Sequence, residues 1–466
     1  MYLYQAFEIH RKEVVSFVGG GGKTTAMFAL AAELVEEGRR VVTTTTTRIF
    51  SAQIALAPVH ITFQSTEQVL SDVAGALRAH RHVLVIGPPG EGGKAPGVDP
   101  SLIDRLIELD PVDVVLNEAD GSRMRPFKAP GEHEPPIPTS TTLLVPVVGV
   151  DAVNTPLDDE FVHRADRAAA LAGVPRGAVV DPQIIARVIT HPDGGLKNRP
   201  EAARVIPLVN KAANVAQLLV ARDIAGQLLR SPSIDAVAIG AVKNAAMPVA
   251  ELHRRVAAVV LAAGGSTRMG SELKQLLPWG GSTLVRHTVE VLLRTELADV
   301  VVVVGRRAED VAAALQGTGA RLATNRAWNE GRSTSVRAGI DALGESTAAA
   351  IFVNADQPFL TAPVIDTLLQ RYFQTLAPVV VPLYDGEPGS PVLFDRLLFG
   401  ELRRLEGESG GKYLLDAHRD ELEEVNILNT RAAIDVDTRE DYEAALAEAH
   451  ANPPEAITST VSHGEK

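Results

Sequence analysis

Twice in this chain an apolar strand runs into a glycine turn, the first opening a helix and the second followed by basic residues. The run Val14–Val18 meets "GGGGKTT" and then the helix-like "TTAMFALAAELVEEG", which Gly38 stops. Farther on, "VAAVVL" at 256–261 meets "AAGGSTRMGSELKQLL". Parallel strands need a crossover, and a helix supplies it, so strand, turn and helix in this order wind a parallel sheet. Small residues at the turn let the backbone approach an anion with its amides pointing outward. The pattern therefore predicts two α/β units, each with a ligand site at its strand ends.

Further short apolar runs support both units. "RRVVTTTTT", "HVLVIG", "VDVVLNEADG", "TTLLVPVVGVD", "RVIPLVNKA" and "SIDAVAIGAV" extend the first, and strand signals at 299–304, 350–354 and 378–383 extend the second. Helical periodicity between them predicts sheets covered on both faces. We expect a domain at 1–250 and another at 256–447, separated within "VKNAAMPVAELHRR" at 242–255, and a disordered Pro-containing tail at 448–466. A chain of 466 residues can bury a core in each unit.

Charge and cysteine content exclude several function classes. The formal charge of −13 and the lack of a long Lys/Arg run disfavour nucleic acid as a partner. The absence of cysteine excludes disulfides, thiolate metal sites and a catalytic thiol. No run has signal-peptide character or membrane-spanning length, so we expect a cytoplasmic protein with no membrane partner.

In the second unit the glycine turn is followed by Arg268 and Lys274, two cations suited to charge on a phosphoryl group. "IFVNADQPFL" is an apolar run ending at Asp356, where ligands of open α/β sheets bind. Alone, the first pattern is also an ordinary strand-to-helix turn, and Asp356 also suits a turn cap. Together they favour a Mg²⁺-dependent phosphate site.

"LAAGGSTRMGSELKQLL" with "NADQPFL" resembles the molybdenum-cofactor nucleotidyltransferases. "GRSTSVRAGI", "GSPVLF", "GESGGKYLL" and "IDVDTREDY" agree, so the resemblance spans nearly all of 256–447. It implies a Rossmann-like nucleotidyltransferase domain. The "LAAG" opening and the Asp-Gln-Pro motif look like the branch that joins CMP from CTP to molybdopterin and releases pyrophosphate. On that resemblance Leu261, Ala262, Ala263, Gly264, Gly265 and Ser266 hold the CTP phosphates, and Ser335 lies near the base. Arg268 clamps pyrophosphate, Lys274 sits near the α-phosphate, and Asp356 holds Mg²⁺.

Asp435 or Asp437 would be a second metal ligand, and Asp437 is our choice. Against this, Thr438 with Asp441 matches a capping box, which puts acids here for helix reasons. Glu408 stands where the family usually has Asp. Gly389 and Pro391 shape the acceptor wall or are plain turn residues.

The first unit departs from a Walker loop. Its spacing would need Gly at Phe17, and the deviant form would need Lys at Val18. Gly20, Gly21, Gly22, Lys23, Thr24 and Thr25 still offer amides, a cation and a hydroxyl, so a P-loop-like parallel-sheet domain binding ATP or GTP is expected. Glu118 and Asp120, at the end of "VDVVLNEADG", are candidates for a Mg²⁺ at this second site. "VNKAANV" resembles the guanine-reading motif of GTPases, but Ala213 stands at its acidic position. His133 reads as a surface residue.

"GGGGKTT", "TTTTTR", "EADGSRMRPFKAP" and "VNKAANV" together resemble the YqeC family, accessory proteins of selenium-dependent molybdenum hydroxylases. The expectation is thus a CTP:molybdenum-cofactor cytidylyltransferase fused to a nucleotide-binding accessory domain, with molybdopterin and a client hydroxylase as partners. The competing readings are an NTP-dependent maturation chaperone that binds finished cofactor, and a guanylyl- or sugar-phosphate nucleotidyltransferase.

Overall fold

Strands that lie between two layers of helices are apolar on both sides, which is why these runs do not alternate with polar residues. The computed structural model describes residues 1–88, 94–265, 269, 272–408 and 412–451. Ser266 and Arg268, expected in the second phosphate loop, lie outside the described residues. The chain divides into two compact units, Met1–Arg254 and Arg255 onward.

The main strands of the first unit are β1 (Glu13–Gly19), β2 (Val41–Thr45), β3 (His60–Thr62), β4 (His82–Ile86), β5 (Val114–Glu118), β6 (Leu143–Gly149), β7 (Leu208–Asn210), β8 (Ala236–Gly240) and β9 (Val249–Arg254). Among the described residues they form one sheet in the order β9-β8-β7-β6-β1-β5-β2-β4-β3. Only the β8–β9 pairing on this path is antiparallel. Val14, Val42, Val83 and Val115 bury against Val69 and Val73 of one helix and Ile103 and Leu106 of another. Leu144, Val148, Val209 and Ile239 join a second cluster with Ile184, Ile185, Ala221 and Ile224.

The threonine run shows how a polar stretch enters this core. Thr43, Thr44 and Thr45 are buried on β2, and each hydroxyl has a partner: His82 Nε2 at 2.8 Å, Val85 O at 2.8 Å and Glu118 O at 2.8 Å. Satisfied hydroxyls are tolerated in a core, where unsatisfied ones are costly. Burial holds the His82 imidazole down to about 4.

The second unit is built from β10 (Val256–Ala262), β11 (Asp299–Val304), β12 (Arg321–Thr324), β13 (Ala349–Asn354), β14 (Val379–Tyr384), β15 (Val392–Asp395) and β16 (Leu422–Asn426). Their order is β12-β11-β10-β13-β15-β14, with β16 also on β14. The first four pair in parallel, and β15 runs antiparallel to both its neighbours. On β10, Val256, Ala258 and Val260 face one apolar cluster, and Val259, with Ala263 just past the strand's end, faces another. The period of two is intact, but both phases are apolar.

The final helix runs Arg439–Ala451, past position 447, and 452–466 lie outside the described residues. No described helix is long and apolar enough to cross a membrane.

Candidate functional site

In the second unit, β10 and β13 lie side by side, and their carboxyl ends deliver Ala263–Gly265 and Asn354–Asp356 to one cleft. The cleft has a volume of about 500 Å³ and also receives Lys274, Ser335, Glu408, Asp435 and Asp437. Lys274 sits in a short 3₁₀ turn, Lys274–Leu276, and pairs with both Asp356 and, at 2.7 Å, Asp437. Burial pushes the Lys274 ammonium down, but the Asp356 and Asp437 carboxylates more than offset this and hold it above its usual value.

Thr438 and Asp441 form the helix-start pair: the Asp441 carboxylate accepts from the amide of Thr438 at 2.8 Å, and Thr438 Oγ1 accepts from the amide of Asp441 at 3.1 Å. The capping reading is thus satisfied by those two residues, and the Asp437 carboxylate turns to Lys274 instead. Burial first, and then the charge of Asp356, push the Asp435 carboxyl up to about 6. Asp356 is buried, and its Oδ1 has no hydrogen-bond partner among the described residues.

Several cleft residues carried no signal in the sequence. Arg332 donates to Asn354 Oδ1 at 2.5 Å, and Gln275 Nε2 donates to Gly264 O at 3.3 Å. Asn325 Nδ2 donates to Ser335 Oγ at 3.0 Å, which orients that hydroxyl. Gln275 and Arg332 lay inside quoted motifs without being distinguished by residue type. Beside this cleft, Gly389 lines a smaller apolar cavity of about 240 Å³, with Leu261 and Arg332 common to both.

In the first unit, β1 runs through the glycines into α1 (Lys23–Glu36). Gly19, Gly21 and Gly22 take φ of 93°, 76° and 126°. A Cβ at Gly19 would lie 2.3 Å from Val147 O, and one at Gly21 would lie 2.2 Å from Gly149 N. Close packing on β6 therefore demands glycine at these positions. One expectation needs correction: Gly20 N donates to Val147 O at 2.8 Å and Gly21 N to Arg125 O at 3.0 Å. Those amides are already engaged, so the donors left for an anion belong to the first turn of α1, from Gly22 to Thr25.

The residues expected to act with the loop converge on it. Thr24 Oγ1 donates to Glu118 Oε2 at 2.6 Å, and Lys23 Nζ lies 3.2 Å from Asp120 and 3.7 Å from Glu118. Lys23 is only 3% exposed and also donates to Gly19 O. Burial pushes the Glu118 carboxyl above its usual range, although Lys23 and Thr24 oppose this.

Asn210 does not read a base in this arrangement. Its Nδ2 donates to Gly21 O at 2.8 Å, and its Oδ1 accepts from Val242 N at 3.1 Å, so it ties the loop to the segment after β8. His133 is exposed, but the neighbouring Glu134 is tied into a charged network. It accepts from Lys128 at 2.8 Å and from Arg164 Nη1 and Nη2, at 2.7 and 2.8 Å. Lys128 in turn lies 3.0 Å from Asp120. Sequence reading missed Lys128, Glu134 and Arg164, because nothing in their spacing announces a network.

Burial raises the Glu134 carboxyl, but hydrogen bonds from Arg164 and Lys128 outweigh it and hold the group at about 2, against an ordinary 4.5. The folded state therefore binds this proton more weakly than the unfolded chain. The stabilisation is complete above 4.5 and lost as pH falls through about 2. We expect the Glu134→Gln variant to be less stable near neutrality, by on the order of 2–3 kcal/mol, and to lose less stability on acidification. Urea unfolding of this variant and the parent at several pH values checks both.

Residues 15–166 match the YqeC protein family, and residues 258–422 match the MobA-like NTP transferase domain. The chain joins a YqeC domain to a MobA-like NTP transferase domain. It is 32% identical over 152 residues to the uncharacterized protein YqeC of Escherichia coli K12, a stretch covering 33% of this chain and 59% of that one. It is 35% identical over 114 residues to nicotine blue oxidoreductase of Paenarthrobacter nicotinovorans, covering 24% of this chain and 55% of the relative. The chain thus spans less than two thirds of either relative. A solved homologue of Mycobacterium tuberculosis Rv0371c, from Mycobacterium sp. strain JC1, is 29% identical, covers 42% of this chain and 98% of its own, and has a TM-score of 0.39. The cleft around Lys274 belongs to the transferase domain, and the Lys23 loop belongs to the YqeC domain.

Proposed function

We propose that the transferase domain moves CMP from CTP onto the phosphate of molybdopterin and releases pyrophosphate. The observation that supports this best is Lys274 held between Asp356 and Asp437 in the cleft at the ends of β10 and β13. An ammonium fixed there stabilises charge on a transferring phosphoryl group without reorganising as the reaction proceeds. An oxygen of the acceptor phosphate attacks the α-phosphorus, and the bond from that phosphorus to pyrophosphate breaks. A phosphate monoester is largely dianionic at neutral pH, so the acceptor needs no general base. Arg268 is proposed to clamp the departing pyrophosphate, and the segment Leu261–Ser266 to hold the triphosphate.

Mg²⁺ fits the acids present. No group of three or more potential ligands is close enough to hold a metal among the described residues. This suits Mg²⁺, which usually takes one or two carboxylates and completes its shell with phosphate and water. Asp356, whose Oδ1 has no partner among the described residues, and Asp437 would hold it, and Asp435 stands beside them as a carboxyl raised by burial. The ion would neutralise charge on the bridging phosphate oxygens.

For the YqeC domain we propose that Gly22–Thr25 bind the phosphates of ATP or GTP, with Glu118 and Asp120 near its Mg²⁺. This step would serve maturation of a client molybdenum hydroxylase after the dinucleotide is made.

The decisive assay incubates the protein with Mg²⁺, each NTP and molybdopterin, then measures pyrophosphate and identifies the dinucleotide. In competition between labelled CTP and GTP, we expect cytidylyl product to predominate at least tenfold, about 1.4 kcal/mol of discrimination. Predominant GTP use would assign guanylyl transfer. Pyrophosphate formed only with a sugar phosphate would assign that acceptor. Cofactor binding without pyrophosphate would favour the chaperone reading.

A further inference from the structure

The YqeC domain gathers more positive charge around its loop than the loop's own chemistry uses. A cavity of about 680 Å³ opens beside Lys23 and Thr24, a size suited to small molecules. Eight Lys and Arg side chains line it against two carboxylates, Glu118 and Glu134, in a chain whose formal charge is −13.

Half of these cations are accounted for within the fold. Lys23 pairs with Asp120, Arg164 with Glu134 and Lys211 with Asp151, while Arg125 donates to Asp159 O. Arg48, Lys94, Arg123 and Lys243 have no carboxylate partner among the described residues, and Lys94 Nζ lies 4.2 Å over the Phe50 ring. They come from separate parts of the chain. Arg48 and Lys94 lie on two short strands paired with each other, Arg123 follows β5, and Lys243 follows β8.

Bringing four unneutralised cations around one cavity costs free energy through mutual repulsion, and a bound anion removes that cost. Arg123 and Met124 are consecutive non-glycine residues with φ of 50° and 64°, a strained pair that the surrounding structure must hold. Met124 is 87% exposed, so apolar burial does not explain the strain. His163, also on the cavity wall, is pushed down to about 4, first by burial and then by Arg164, Lys128 and Arg123. It adds a neutral hydrogen-bonding group beside the cations.

We propose that this cavity takes a second ligand besides the nucleotide: a phosphate-bearing small molecule held by Arg48, Lys94, Arg123 and Lys243. A nucleotide on α1 is met by the first-turn amides, Lys23 and Thr24. These four cations, none with a carboxylate partner among the described residues, are surplus to that contact set and supply the charged donors that a phosphate ester accepts. The word "second" rests on the nucleotide reading of the Lys23 loop; the anion site itself rests on the cavity.

Pyrophosphate is titrated by calorimetry into the full-length protein saturated with Mg²⁺-ATP, and into the Arg123→Ala/Lys243→Ala variant under the same conditions. The transferase domain can itself take pyrophosphate, so the readout is the binding component that the double variant loses. We expect that component to weaken by about 10- to 100-fold. ATP affinity should stay unchanged, and the unfolding midpoint should be unchanged or higher because a repulsion has been removed. Identical pyrophosphate binding in both proteins overturns the proposal. So does a parallel loss of ATP affinity, which would make the cations part of one nucleotide site. If ATP does not bind but pyrophosphate binding still depends on Arg123 and Lys243, the anion site stands and the nucleotide reading of the Lys23 loop fails.

Discussion

Replacing Asp356 with alanine is expected to abolish pyrophosphate release from CTP, by about 10³-fold or more, while leaving the transferase domain folded. Two effects act together. The substitution removes the carboxylate whose Oδ1 has no partner among the described residues, and it removes one of the two acids that fix Lys274. Asp437 still pairs with Lys274, so the ammonium is not left unpartnered, and the backbone tie from Val436 N to Asp356 O survives. Asp356→Asn is the matched control, since it keeps the volume and loses the charge. Turnover with CTP and molybdopterin is measured beside circular dichroism and thermal unfolding. Near-normal turnover in a folded Asp356→Ala protein would remove this residue from the proposed metal site.

A second large effect is expected from Lys23→Ala, and it should fall on a different step. The variant should still form the cytidine dinucleotide but fail to support activation of a client hydroxylase in cells. Its affinity for ATP or GTP should drop by about 1.5–3 kcal/mol, the usual worth of a charge-assisted contact. Lys23 lies between Glu118 and Asp120 and is almost fully buried, so removing it leaves Glu118 without a cation and Asp120 with Lys128 alone. Breaking such a buried pair costs about 3–5 kcal/mol of stability, and unfolding must be followed alongside. Thr24→Val is the companion variant, because it removes only the hydroxyl that donates to Glu118. Loss of cytidylyl transfer in folded protein carrying either change would mean that the two loops serve one reaction.

These expectations draw on sequence and structure unequally. Apolar runs ending in glycine turns, repeated along the chain, were enough to indicate α/β units, because a strand buried on both faces has little freedom in composition. Asp356 and Lys274 were legible because they stand at fixed distances from a strand end and a glycine loop. Ser266 and Arg268 were named on the same grounds and lie outside the described residues. The four-glycine loop was legible as a loop but not in its hydrogen bonds. Val147 and Arg125 accept from the Gly20 and Gly21 amides, and both are distant in sequence.

Local spacing determined the strand–turn–helix unit of the first domain, the capping pair Thr438 and Asp441, and the two glycine loops, because those depend on neighbours a few residues apart. Tertiary structure alone decided that Asp437 pairs with Lys274, that Asn210 ties the glycine loop to Val242, and that Lys128, Glu134 and Arg164 close a network on Asp120. It also decided which cations of an acidic chain would share one cavity. The physical reason is range: a cap or turn forms between residues already adjacent in the chain, whereas an ion pair forms wherever the sheet order brings opposite charges within about 4 Å.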